Sequence, residues 1–136
     1  MLPALLTTAA CVWSADLIAL GLKAATDRPR PFETLPAADP LLGATVGQSL
    51  PSGHAATSFA GAVVLAYLWR RGTPYFFLLA TAIAFSRVYV GVHYPTDVLA
   101  GAALGVVVGL AGVMGVRLLR RSGGGRLRSR AAPPAG

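Results

Sequence analysis

Two stretches of this chain are long enough and apolar enough to cross a lipid bilayer, and two more approach that length. A spanning helix needs about 20 consecutive apolar residues. The first run is Leu2 to Leu22, interrupted by Ser14 and Asp16. The second is Ala55 to Trp69, lengthened at its start by Ser52 and Gly53. The third, Tyr75 to Phe85, extends to Val90, and the fourth, Val98 to Leu119, is interrupted by Arg117 near its end. Core helices of a soluble protein resemble such runs at shorter length, so the two full-length runs favour the bilayer. The start Met1-Leu2-Pro3 lacks the basic n-region of a signal peptide, so the first run is expected to be a mature helix. The expected fold is an all-α integral-membrane bundle of four transmembrane helices, at about 2–23, 52–70, 74–90 and 95–120.

Composition agrees with this. Charged residues are 12% of the chain and hydrophobic residues 54%. A soluble domain carries roughly 25% charged residues. The formal charge of +7 comes from 12 Lys and Arg against 5 Asp and Glu. A basic chain points to nucleic acid or to a membrane surface. There is no soluble basic face here, so no nucleic-acid partner is expected. Cys11 is the single cysteine, which excludes an internal disulfide and a cysteine metal cluster. Neither a metal nor a cofactor is expected.

Between the first two runs lies an outer loop, 26–51, carrying Pro29, Pro31, Pro36, Pro40 and Pro51. These prolines forbid a continuous helix. The bundle is expected to fill 1–121, and 122–136, rich in Gly, Arg, Ala and Pro, to form a disordered basic tail.

Cytoplasmic loops collect Lys and Arg. Arg70, Arg71, Arg117, Arg120, Arg121, Arg126, Arg128 and Arg130 fall on one side of the four helices, with no acid among them. The topology this implies puts both termini in the cytoplasm and the long loop outside. Trp69, Tyr75, Phe76 and Phe77 flank the inner turn as an interfacial belt would. Lys23, Arg28, Arg30 and Arg87 break the rule, lying at the outer helix ends with both histidines, His54 and His93.

These exceptions fall in three strings. The first runs from Lys23 to Arg30-Pro31, the second is Pro51-Ser52-Gly53-His54, and the third runs from Ser86-Arg87 through His93 to Asp97. In this topology all three meet at one membrane face. Fixed cations crowd together to hold an anion, and guanidinium forks match phosphate oxygens. Ser52 is placed to cap the second helix, whose first N–H groups would point at the ligand, and Gly53 lets that ligand approach the backbone. Two histidines beside a phosphate point to transfer chemistry, one attacking phosphorus and the other protonating the departing oxygen. Asp97, four residues after His93, can reach back to hold its imidazole. This makes His93 the nucleophile, His54 the acid and Asp97 the orienting carboxylate, with Lys23, Arg30 and Arg87 stabilising the transferred group.

At these spacings the chain resembles the type-2 phosphatidic acid phosphatase superfamily, whose pattern is K-x6-RP, PSGH and SR-x5-H-x3-D. Lys23 with Arg30-Pro31, Pro51 to His54, and Ser86-Arg87 with His93 and Asp97 fill every fixed position. The resemblance covers Lys23 to about Leu119. It implies a metal-independent membrane lipid phosphatase working through a phosphohistidine on His93. It also implies phosphate contacts from Lys23, Arg30, Ser52, Gly53 and Arg87. Vanadate-dependent haloperoxidases share this pocket but are soluble and much larger. Integral-membrane members usually have six helices, with the first motif ending the third, so four make a shortened form, and a partner subunit could replace the other two.

The expected substrate is a lipid phosphate: a prenyl diphosphate, phosphatidic acid or phosphatidylglycerol phosphate. The Ala-, Gly- and Arg-rich composition points to a bacterial inner membrane and to envelope synthesis. The alternatives are a non-catalytic, truncated lipid-phosphate-binding protein and an assembly partner. Gly101, Gly105 and Gly109 are spaced for close helix packing, inside the monomer or in a homo-oligomer. Arg28 reads equally as a solvated or headgroup-facing charge or as a phosphate ligand. Asp16, in mid-helix, either faces the bundle interior, pairs with a neighbour such as Ser14, or is protonated.

Overall fold

A computed structural model describes residues 2–35, 41 and 47–130. Asp39, Pro36 and Pro40 lie outside the described residues. Among those described, every regular element is helical. The order is α1 (Leu2–Thr26), α2 (Pro31–Thr34), α3 (Gly53–Leu68), a 3₁₀ turn (Arg70–Gly72), α4 (Thr73–Tyr89) and α5 (Pro95–Arg130).

Local chemistry sets the ends. α1 stops where Asp27 takes a left-handed φ of 42°, a conformation that short polar side chains tolerate. Ser52 caps α3, its hydroxyl accepting from the Ala55 N–H at 3.5 Å. α4 ends at Gly91, whose φ of 75° sits at the glycine position of a Schellman motif. The Gly91 N–H donates to the Val88 carbonyl at 3.0 Å and the Val92 N–H to the Arg87 carbonyl at 3.3 Å. Pro95 then opens α5, and Asp97, two residues on, accepts the Tyr94 N–H at 2.9 Å, tying the first turn down.

α3 is the central helix, packed by α1, α4 and α5, with α1 also touching α5. Its buried face is Ala55, Ala56, Ala60, Gly61, Ala62, Val63 and Val64. Such small residues let helix backbones approach closely, which is how helices associate where lipid removes the hydrophobic drive. The α5 glycines are the counterpart. A Cβ on Gly101 would run into the Ser52 carbonyl, one on Gly105 into the Ala56 carbonyl, and one on Gly109 would lie 2.7 Å from the Val63 Cβ. These three glycines are therefore spent inside the monomer on α3. Of the two expectations for them, packing inside the monomer and packing in a homo-oligomer, the structure shows the first.

The outer loop carries the short α2, and α5 runs on to Arg130, through residues expected in a disordered tail from 122 onward. A formed helix propagates at one hydrogen bond per residue added, so extension past the last core contact is easy compared with nucleation. α1 and α5 are long and apolar enough to cross a membrane, whereas α3 and α4, at 16 and 17 residues, are shorter than the usual span. Large apolar side chains such as Leu5, Trp13, Leu17, Leu99, Val107 and Met114 are exposed on the outer faces of α1 and α5. The C-terminal ends of α1 and α4 and the N-terminal ends of α3 and α5 come together at one end of the bundle. The exposed Arg70, Arg71 and Arg117 lie at the other.

Candidate active site

The convergence of those four helix ends encloses a cavity of ≈ 490 Å³. Lys23, Arg30, Gly53, His54, Arg87 and His93 line it. The three sequence strings thus meet, although 70 residues separate Lys23 from His93. The Schellman turn at Gly91 explains the third string's spacing. It reverses the chain so that His93 returns to Arg87, with the His93 N–H donating to the Arg87 carbonyl at 3.3 Å.

The cations are held by uncharged partners, which leaves their charge for a ligand. Arg30 is 5% exposed. It donates through Nε to the Gly47 carbonyl at 2.8 Å and through Nη1 to the Val92 carbonyl at 3.1 Å. Arg87 is steadied by the Ser86 hydroxyl, which accepts from Nε and Nη2 at 3.1 Å each. Lys23 is partly exposed on the cavity wall.

His93 is buried. Its Nδ1 lies 3.6 Å from Asp97 Oδ2, within ion-pair range but long for a hydrogen bond. The Ser49 hydroxyl stands between the two groups. It donates a short hydrogen bond to Asp97 Oδ2 and lies 3.4 Å from His93 Nδ1. The expected pairing of Asp97 with His93 is present as an ion pair, Ser49 bridges the same two groups, and Nε2 is left as the uncommitted ring nitrogen. Burial pushes the His93 imidazole down to about 4, Arg30 and Lys23 push the same way, and Asp97 opposes them. Without a ligand, the ring is neutral at neutral pH.

Asp97 and Ser52 are fully buried and stand behind the cavity wall. The Ser52 hydroxyl caps α3 as expected, accepting from the Ala55 N–H, and the Ser52 N–H donates to the Asp97 carbonyl at 2.9 Å. Ser52 thus joins the starts of α3 and α5 and sets where Gly53 and His54 sit. His54 itself is exposed.

Two residues here escaped the sequence. Ser49 sits in a loop with no periodic pattern, so nothing marks it before the chain folds back. Its N–H donates to the Arg28 carbonyl at 2.8 Å. Arg28, half-buried, spends its guanidinium on the site's own groups. Its Nη1 pairs with Asp97 Oδ1 at 2.8 Å and donates to the Thr96 hydroxyl at 2.9 Å. Its guanidinium carbon lies 4.4 Å above the centre of the Tyr94 ring, a cation–π distance. The only available signal was its place in the first string, two residues before Arg30.

Comparison with known proteins agrees with this arrangement. The sequence profile of the PAP2 superfamily matches residues 3–121. Over 82 residues, 60% of this chain and 41% of the relative, the chain is 39% identical to decaprenylphosphoryl-5-phosphoribose phosphatase of Mycobacterium tuberculosis. It spans about two fifths of the length of the curated relatives it matches first. Its fold is similar to that of LpxE from Aquifex aeolicus, with a TM-score of 0.71, 30% identity, and coverage of 79% of this chain and 66% of that one. It is also similar to the transmembrane PAP2-type phosphatidylglycerolphosphate phosphatase of Bacillus subtilis. There the TM-score is 0.67 at 26% identity, covering 82% of this chain and 58% of that one. By its family profile, its helical fold and its assembled motifs, the chain belongs to the PAP2 superfamily.

Proposed function

We propose that this chain is a membrane lipid phosphatase that hydrolyses a lipid phosphomonoester or diphosphate through a phosphohistidine on His93. The observation carrying this reading is the shared cavity: two histidines and three cations on one wall, with a buried carboxylate behind the inner histidine. Membership of a family in which two of the compared members are named as phosphatases supports it.

The geometry suits each step. Phosphate oxygens sit against Lys23, Arg30, Arg87 and the first N–H groups of α3 at Gly53. Neutral His93 attacks phosphorus through Nε2. An N–P bond forms as the P–O bond to the lipid breaks, its electron pair going to the lipid oxygen. His54 gives that oxygen a proton. The positive charge now on His93 is stabilised through Ser49 and Asp97, as in a triad. Water, deprotonated by His54, then attacks the phosphohistidine, releasing phosphate and restoring both rings. The cations supply the charge stabilisation that a metal gives other phosphatases, so turnover should persist in a chelator.

Four spans are proposed, with the cavity facing outward. The exposed apolar faces of α1 and α5 and the arginines at the opposite bundle end support this orientation. A cavity at a bilayer face suits substrates with a phosphate on an acyl or prenyl tail, in a bacterial inner membrane.

The test is phosphate release by the purified protein in detergent, with EDTA, from prenyl diphosphates and glycerolipid phosphates. Turnover abolished by His93→Ala, with the fold intact, is the expected result. Retained turnover in that variant overturns the nucleophile assignment. Binding of lipid phosphates by the wild type without release would leave a binding protein in place of an enzyme.

A further inference from the structure

One carboxyl side chain in the cavity has no part in that mechanism. Asp16 lies in mid-α1, two turns before Lys23, and lines the same cavity as His54 and Lys23. A Cβ built on Gly53 would lie 3.4 Å from Asp16 Oδ1, so the carboxylate faces the first turn of α3, beside His54. Among the described residues it forms no hydrogen bond and no ion pair, with Ser14 or any other group. A carboxylate at this depth of a spanning helix is unfavourable in lipid and marks a functional position by default.

The charges around His54 show what it does there. The elements packed around the imidazole bring Lys23 from α1, Arg30 from the outer loop and Arg87 from α4, all positive, against Asp16, which is negative. His93, from the α4–α5 turn, is neutral at neutral pH. Asp97, at the start of α5, is fully buried and already paired with Arg28. The α3 N-terminus adds partial positive charge next to His54. A general acid must carry its proton when substrate arrives, and this surrounding field opposes a protonated ring. We propose that Asp16 is the counter-charge that favours the protonated form of His54 against this field, for transfer to the leaving oxygen. It acts as a positioning residue through His54, without touching substrate. The inference rests on the phosphatase reading above.

Leaving groups of different basicity test it. A lipid alkoxide needs the proton from His54 as the P–O bond breaks, whereas a nitrophenolate leaves as a stable anion. Asp16→Asn should lower kcat on a lipid phosphate by about 10- to 100-fold, within the range of general acid catalysis. With p-nitrophenyl phosphate, the nitrophenolate burst that accompanies phosphohistidine formation should keep its wild-type rate, because only the later attack of water uses His54 there. The alkaline limb of the lipid kcat–pH profile should move to lower pH, and Asp16→Glu should restore both behaviours. Asn matches Asp in size and removes a charge from the apolar region, so folding should persist, and thermal unfolding in detergent checks this. Equal losses in the rate of phosphohistidine formation from both substrates, or none from either, overturn the inference. So does a change confined to KM for substrates with a hydroxyl beside the phosphate, which would assign Asp16 to headgroup recognition. His54→Ala, run in parallel, separates the two readings. Leaving-group discrimination in His54→Ala but not in Asp16→Asn removes only the role of Asp16, whereas a wild type inactive on both substrates removes both.

Discussion

Arg28 Nη1 lies 2.8 Å from Asp97 Oδ1, tying the loop after α1 to the first turn of α5. The Asp97 carboxylate is fully buried, and the Arg28 side chain is 34% exposed. Removing the cation leaves a buried charge without its partner, a change that destabilises fully buried pairs by about 3–5 kcal/mol. Solvent reaches Arg28, so Arg28→Ala should lose about 1–2 kcal/mol instead. With Asp97 free to turn from Ser49, kcat should fall about tenfold while KM moves little, because substrate does not touch Arg28. Arg28→Lys should recover part of the loss, since a point charge replaces a fork. Steady-state kinetics with thermal unfolding of both variants checks this.

Ser49 supplies the connection between Asp97 and His93. Ser49→Ala should therefore lower kcat by about 10- to 100-fold, and Ser49→Thr should retain more of it. A phosphohistidine trap by rapid quench would place the defect in formation of the N–P bond. An unchanged trapping rate would remove Ser49 from the relay.

His93 controls stability as well as rate. Its imidazole is held down at about 4 in the fold, against about 6.5 in an unfolded chain. Between those values the unfolded chain binds more protons, so stability rises with pH across the window. The contribution is complete above about 6.5 and is lost as pH falls toward 4. Thermal midpoints from pH 4 to 7 should show this slope in the wild type and a flatter one in His93→Gln. The acidic limb of kcat/KM for the free protein should likewise lie well below the usual histidine value.

Close packing of α5 on α3 predicts a steep response to size. Gly105→Val forces a side chain into the Ala56 carbonyl and should lose stability by more than the roughly 1–3 kcal/mol of ordinary overpacking. Gly115→Ala, where a Cβ would meet nothing within 4 Å, should be neutral or slightly stabilising. Thermal unfolding of the pair in detergent compares them directly.

The apolar runs, the charge asymmetry and the spacing of His93, Asp97, Lys23 and Arg30 were all legible in the sequence. Helix-forming apolar runs announce themselves locally, and the motif positions keep fixed distances along the chain. Gly101, Gly105 and Gly109 also announced close packing by their spacing. Whether that packing lay within the monomer or between copies was not written in one helix, because the groove they fill belongs to α3. Ser49 and Arg28 were illegible for a related reason. Each takes its role from a partner 48 or 69 residues away, and neither lies in a repeating pattern. The same holds for Asp16: its position in mid-helix flagged it, but only the fold put it beside His54.

The sequence by itself determined that this chain forms apolar helices and fills every fixed position of the PAP2 motifs, because both depend on composition and spacing. The tertiary structure decided how those residues connect. It set Ser49 between His93 and Asp97, Arg28 on the carboxylate, the Ser52 N–H on the Asp97 carbonyl and Asp16 in the cavity. Hydrogen bonds and ion pairs act only over a few ångströms, and only folding brings these side chains that close.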